Sequence, residues 1–143
     1  MPWHIWPIGA ATLVLHGLAA LDFTLAVQRN AAYLAGFPPP LRAGFTAFLD
    51  GVPFWALAAW ALASGAALAG SVLLLAGSRH AVACFAVALI GLCGQVLYAL
   101  FLAAPPLPPA LVSGTRLSSL IALVVLLAVL AYARRLFQKG ILR

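Results

Sequence analysis

A single carboxylate, one imidazole and a few hydrogen-bonding side chains stand inside otherwise apolar stretches of this sequence. Asp22 is the acid, with His16 six residues before it. Gln95 and Tyr98 lie three residues apart in a later stretch, and Trp60 lies in another. A carboxylate in a membrane costs up to ~2.5–3.5 kcal/mol at the centre and less near the edge. It is therefore expected to turn inward and meet Gln95, Tyr98 or an arginine from the flanking segments, Arg29 or Arg116. Such a layer has two uses. It can clamp helices together, or it can form a small outward-facing site for a solute, a lipid headgroup or a partner's side chain, anchored on Asp22.

His16 has Thr12 one turn before it on the same face. A buried imidazole can ligate haem or a metal, or relay protons. The other histidines, His4 and His80, fall near the ends of apolar runs, so one chain offers no second ligand within a membrane. No cofactor and no metal are expected. The simpler role for His16 is a neutral ring bonded to Thr12 or to a neighbouring helix. Cys84 and Cys93 are nine residues apart, and at about 100° per residue they point to opposite faces. There is no Cys-x-x-Cys, so both read as packing residues. No nucleophile–base pair can be assembled, and the chain is not expected to be an enzyme.

The elements that must position these residues follow from composition. Of 143 residues, 66% are apolar, and eight Lys or Arg stand against two acids. Soluble domains are about 45–50% apolar and about 25% charged, so a water-facing globule is excluded, and so is a nucleic-acid binder. Crossing a bilayer core of about 30 Å takes about 20 apolar helical residues. Four runs of that kind are present, over about 7–27, 53–75, 81–103 and 117–137, and none shows a polar stripe at helical period. The expected fold is an all-α membrane protein, a single domain over 1–143 with four transmembrane helices in an antiparallel bundle. The first run lacks a basic start and a cleavage context, and reads as a retained helix.

The connections add detail. Residues 76–80 are too short for anything but a tight turn, which makes the second and third helices neighbours. Pro105-Pro106-Leu107-Pro108-Pro109 reads as a stiff polyproline-II bracket, after which Ser113 or Thr115 caps the fourth helix. Pro38-Pro39-Pro40 stops the chain, and beyond it Leu41, Phe45, Phe48 and Leu49 share one helical face. That pattern predicts a short interfacial helix over 40–50, between the first and second spans. No internal repeat is visible. Rows of small residues, Ala61-Gly65-Ala69 and Ala59-Ala63-Ala67-Ser71, allow the second helix to approach its neighbours closely.

Five basic residues, Arg79, Arg134, Arg135, Lys139 and Arg143, gather on the side of the termini, against Arg29, Arg42 and Arg116 on the other. The positive-inside rule then puts both termini in the cytoplasm. In that orientation Asp22 lies about 7–8 Å below the outer end of its run, Trp60 about 10 Å and Gln95 about 12 Å, with Tyr98 level with Asp22. Three helices thus bring four residues to one depth.

The pairs Trp6-Pro7, His16-Gly17, Asp22-Phe23, Arg29-Asn30 and Tyr33-Leu34 resemble a group of small bacterial four-helix membrane proteins. Phe54-Trp55, Trp60-Ala61 and Gly70-Ser71-Val72-Leu73-Leu74-Leu75 carry the same likeness, which covers roughly residues 3–100. Those proteins often bear the label "sugar transporter", without a mechanism, and the resemblance implies the same four-helix fold. The small size and short loops fit an accessory or interaction subunit packed against a larger membrane complex. The alternative is a small-solute transporter or channel acting as a homo-oligomer. Expected partners are the lipid bilayer and a membrane protein or further copies of the chain, with no nucleic acid.

Overall fold

Apolar runs bounded by proline and glycine become helices, and the bounding residues explain where each stops. In the computed structural model, which describes residues 2–143, the helices are α1 (Ile5–Val27), α2 (Ala31–Ala35), α3 (Pro39–Asp50), α4 (Phe54–Leu75), α5 (His80–Leu97) and α6 (Pro109–Gln138). A π-helical turn, Tyr98–Leu102, continues α5. There is no strand among the described residues. Four helices are long and apolar enough to cross a membrane: α1 with 23 residues, α4 with 22, α5 with its π-turn at 23, and α6 with 30.

Three helix ends share one device. Gly77 (φ 71°) follows α4, Gly140 (φ 69°) follows α6, and both adopt the left-handed conformation that lets the chain fold back on the last turn. The returning amides confirm it: Ser78 N donates to Leu73 O at 2.8 Å and Ile141 N to Leu136 O at 3.0 Å. After α1 the same place is taken by Arg29 (φ 52°), with Asn30 N donating to Leu25 O at 3.0 Å. Asn30 then caps α2, its Oδ1 accepting from Tyr33 N at 3.1 Å. This five-residue helix is absent from the sequence expectations.

The start of α6 also differs from expectation. The helix begins at Pro109, two turns before residue 117, and neither Ser113 nor Thr115 caps it. A proline at the first helical position has its φ preset and loses no hydrogen bond there, so the proline bracket ends by launching the helix. Ser113, Thr115 and Arg116 therefore sit inside α6.

α4 is the hub, packing against both α1 and α5, while α6 packs on α5. Gly91 makes the α4–α5 approach possible. A Cβ there would lie 2.6 Å from Ala63 N and 2.7 Å from Ala59 O. The Ala59–Ala63 end of the small-residue row thus faces α5, while Ser71 at its other end meets His16 of α1. The row through Gly65 faces outward, where a Cβ would meet nothing within 4 Å. Two apolar clusters follow. One joins Ile5, Leu74, Phe85, Val129 and Leu136 near the α4–α5 turn, where Arg79 and Arg143 also exchange a backbone bond. The other joins Ala26, Phe45, Phe48, Leu49, Tyr98 and Leu107 at the opposite end, and α3 contributes its apolar face to it.

Candidate functional site

α3 folds over one end of the helices because each of its contacts is specific. Tyr98, 5% exposed, donates its hydroxyl to Gly51 O at 2.9 Å. A Cβ on Gly51 would lie 2.7 Å from Ala104 O, and one on Gly44 would lie 2.7 Å from Pro108 Cγ. The α3 ridge of Phe45 and Phe48 continues an aromatic chain. Tyr33 meets Phe37 at 5.6 Å between ring centroids, Phe37 meets Phe45 at 5.4 Å, and Phe48 meets Tyr98 at 5.9 Å.

Beneath this aromatic arch lies a cavity of about 240 Å³. Asp22, Tyr33, Trp60, Gln95 and Tyr98 line it, together with Phe37, Phe45 and Phe48, and Thr115, Ser118 and Ser119 close it from α6. Asp22 Oδ1 accepts a hydrogen bond from the Tyr33 hydroxyl at 2.8 Å. Burial, then the hydrogen bond to Asp22 and its charge, push the Tyr33 phenol above its ordinary value, so it remains a neutral donor. A second space of about 150 Å³ lies alongside and shares Asp22, Trp60 and Gln95 with the first. It reaches His16 and Ser64.

The four residues of the expected polar layer, Asp22, Trp60, Gln95 and Tyr98, therefore line one cavity, but Asp22 is exposed rather than turned inward, and the bonds between the four are not those anticipated. Tyr98 bonds to α3 rather than to Asp22, and the partner of Asp22 is Tyr33. The arginine partners need correction too. Arg29 pairs with Asp50, the last residue of α3, which is the one ion pair among the described residues. Its left-handed backbone starts the chain towards α2, and the carboxylate it reaches is exposed rather than set within the bundle. Arg116 lines a separate apolar cleft of about 400 Å³ between α5 and α6. The early start of α6 carries it two turns into the helix and towards α5.

His16 and Thr12 are both buried, yet they do not bond to each other. Thr12 donates to Gly9 O at 3.0 Å, and His16 Nδ1 lies 2.8 Å from Ser71 Oγ on α4. Among the described residues no three His, Cys, Asp or Glu side chains gather as a metal site would require.

Tyr33, Phe37 and the α6 hydroxyls are the lining residues that sequence reasoning missed. A signal existed for the hydroxyls, since Thr115, Ser118 and Ser119 fall at i, i+3 and i+4 on one helical face. Tyr33 and Phe37 share a similar spacing, hidden within a long connection. No family model matches the chain, and no curated protein or solved structure matches it either. Function must be argued from the cavity.

Proposed function

We propose that this chain is a multi-pass protein of the bacterial inner membrane that binds a small organic cation in an outward-facing cavity. In this reading the four long helices form an antiparallel bundle with both termini in the cytoplasm, and α3 lies in the outer interface as the roof of the site. One observation carries it: Asp22 lines the cavity, and among the described residues no cationic side chain pairs with it. A carboxylate at a membrane cavity calls for a positive charge, and here that charge comes with the ligand. The aromatic walls favour an organic cation over a bare metal ion. Tyr33, Phe37, Phe45, Phe48, Trp60 and Tyr98 line the cavity, and a ring face attracts an ammonium group by about 0.5–1 kcal/mol when exposed and about 2 kcal/mol when desolvated. A volume of about 240 Å³ sits just under the ~300–1,000 Å³ of drug-sized sites, so the ligand is small. The site binds rather than transforms its ligand, since no nucleophile–base pair lines it.

A second reading, an accessory subunit within a larger complex or a homo-oligomer, is favoured by a different feature. The small-residue row of Gly65 and Ala69 is exposed on α4, where it offers close approach to another helix. The two readings are compatible and separable. Titrating the detergent-solubilised chain with tetramethylammonium should show saturable binding that Asp22→Asn weakens roughly tenfold or more, the loss of a charge-assisted contact. Equal affinity in both proteins refutes the anchoring role. Purification in mild detergent reports on the second reading by the size of the particle recovered.

A further inference from the structure

His16 is buried, titratable and unused by the cation site. Its Nδ1 lies 2.8 Å from Ser71 Oγ, and the Ser71 hydroxyl donates to the Ala67 carbonyl at 3.0 Å. A hydroxyl has one hydrogen to give. With that hydrogen on Ala67, the Ser71 oxygen is the acceptor and His16 Nδ1 is the protonated nitrogen. The neutral ring then carries its lone pair on Nε2, and no described residue bonds that atom. His16 also lines the smaller space, whose volume of about 150 Å³ is enough for more than one water. Asp22 lines the same space, six residues on and about 9 Å further along the helix axis.

The surroundings leave these two groups to respond to each other. α4 presents Ser71 and Ser64 to this region, α5 presents Phe85 and Gln95, and α6 presents Ala122 and Leu126. None of these titrates, so Asp22 is the one ionisable neighbour of His16 in the shared space.

We propose that His16 Nε2 is a proton site that competes with the cation site at Asp22, so that the protein exchanges a proton for an organic cation. The inference rests on the cation reading and assigns it a counter-ion. The two sites are about 9 Å apart along the α1 axis and about 120° apart around it, so charges there are separated by ~9–14 Å and at an effective dielectric of ~20 disfavour each other by roughly tenfold in affinity. The effect is reciprocal: a bound cation weakens the hold on the proton by the factor that the proton weakens the cation. The Asp22 carboxylate contacts the cation directly and attracts the proton on His16 only through space. Gln95 and Trp60 line both spaces.

Nitrogen NMR of the full chain in detergent tests this without relying on a variant alone. The His16 ring signals, identified by their loss in His16→Gln, are followed against pH with and without tetramethylammonium. Saturating tetramethylammonium should lower the proton affinity of His16 roughly tenfold in the wild-type chain. Asp22→Asn should lower it similarly, with a further response to the cation only at roughly tenfold or more higher concentration. Tetramethylammonium affinity should also fall from about pH 8 to about pH 5 more steeply in the wild type than in His16→Gln. Cation binding that leaves the His16 titration unchanged overturns the exchange and spares the cation site. Absence of cation binding at every pH overturns the cation site, and the exchange with it.

Discussion

Arg29 determines whether Asp22 keeps its charge unanswered. It stands seven residues beyond Asp22 in a conformation that glycine adopts after α4 and α6. A side chain in that left-handed region costs roughly 1–2 kcal/mol, since its Cβ crowds the following carbonyl. The Arg29 guanidinium contacts Asp50, and its Nη1 donates to Val27 O at 3.3 Å, so the side chain is held at α3. An ion pair between exposed groups gives about 0–1 kcal/mol. It offsets the strain in part while steering the one nearby cation elsewhere. The two contributions separate by substitution. Arg29→Ala loses the pair and keeps the strain, whereas Arg29→Gly loses both. Thermal unfolding in detergent should therefore find Arg29→Gly more stable than Arg29→Ala by about 1 kcal/mol. Equal stabilities would show that the backbone at this position is unstrained.

Among the elements, the α4–α5 contact carries the closest approach, and glycine sets it. Gly91→Ala puts a methyl 2.6 Å from Ala63 N, a backbone atom that cannot swing aside. The helices must separate, and overpacking of this kind costs roughly 1–3 kcal/mol. Gly65→Ala on the outward row meets nothing within 4 Å and should be neutral or stabilising by up to ~1 kcal/mol through helix propensity. Melting temperatures of the two variants should diverge, and a shared response would mean that α4 and α5 do not depend on this contact. The long helices were legible in the sequence because a run of twenty apolar residues has few other structures. The start of α6 was not, because proline stops and starts helices alike and Ser113 looked like a cap. Counting helix rise groups Asp22, Trp60, Gln95 and Tyr98, since it needs only residue number, and these four line one cavity. Rotation about each helix axis was not legible in runs without a polar stripe. The Tyr33–Asp22 bond was hidden for the same reason, together with the short α2 that delivers it. For α3, periodicity placed Phe45, Phe48 and Leu49 on one face, and all three are buried.

At the scale of the whole molecule, the direction in which the cavity opens decides what it can bind. The chain has eight basic residues, and the five expected on the side of the termini include four within or after the last turns of α6. Residues near the ends of spans set orientation most strongly, so α6 is expected to finish in the cytoplasm and the α3 end to face outward. Reporter fusions test this, but the outer insertion has to respect the packing. Leu107 is buried, and Gly51 abuts Ala104, whereas Pro105 and Pro106 are exposed. A periplasm-dependent enzyme inserted between Pro105 and Pro106 should be active, and a fluorescent protein fused after Arg143 should glow. Both results reversed would turn the cavity towards the cytoplasm. Asp22 would then meet cytoplasmic solutes, and the proton site proposed at His16 would draw on the cytoplasm. The topology experiment thus fixes which side of the membrane supplies both the cation and the proton.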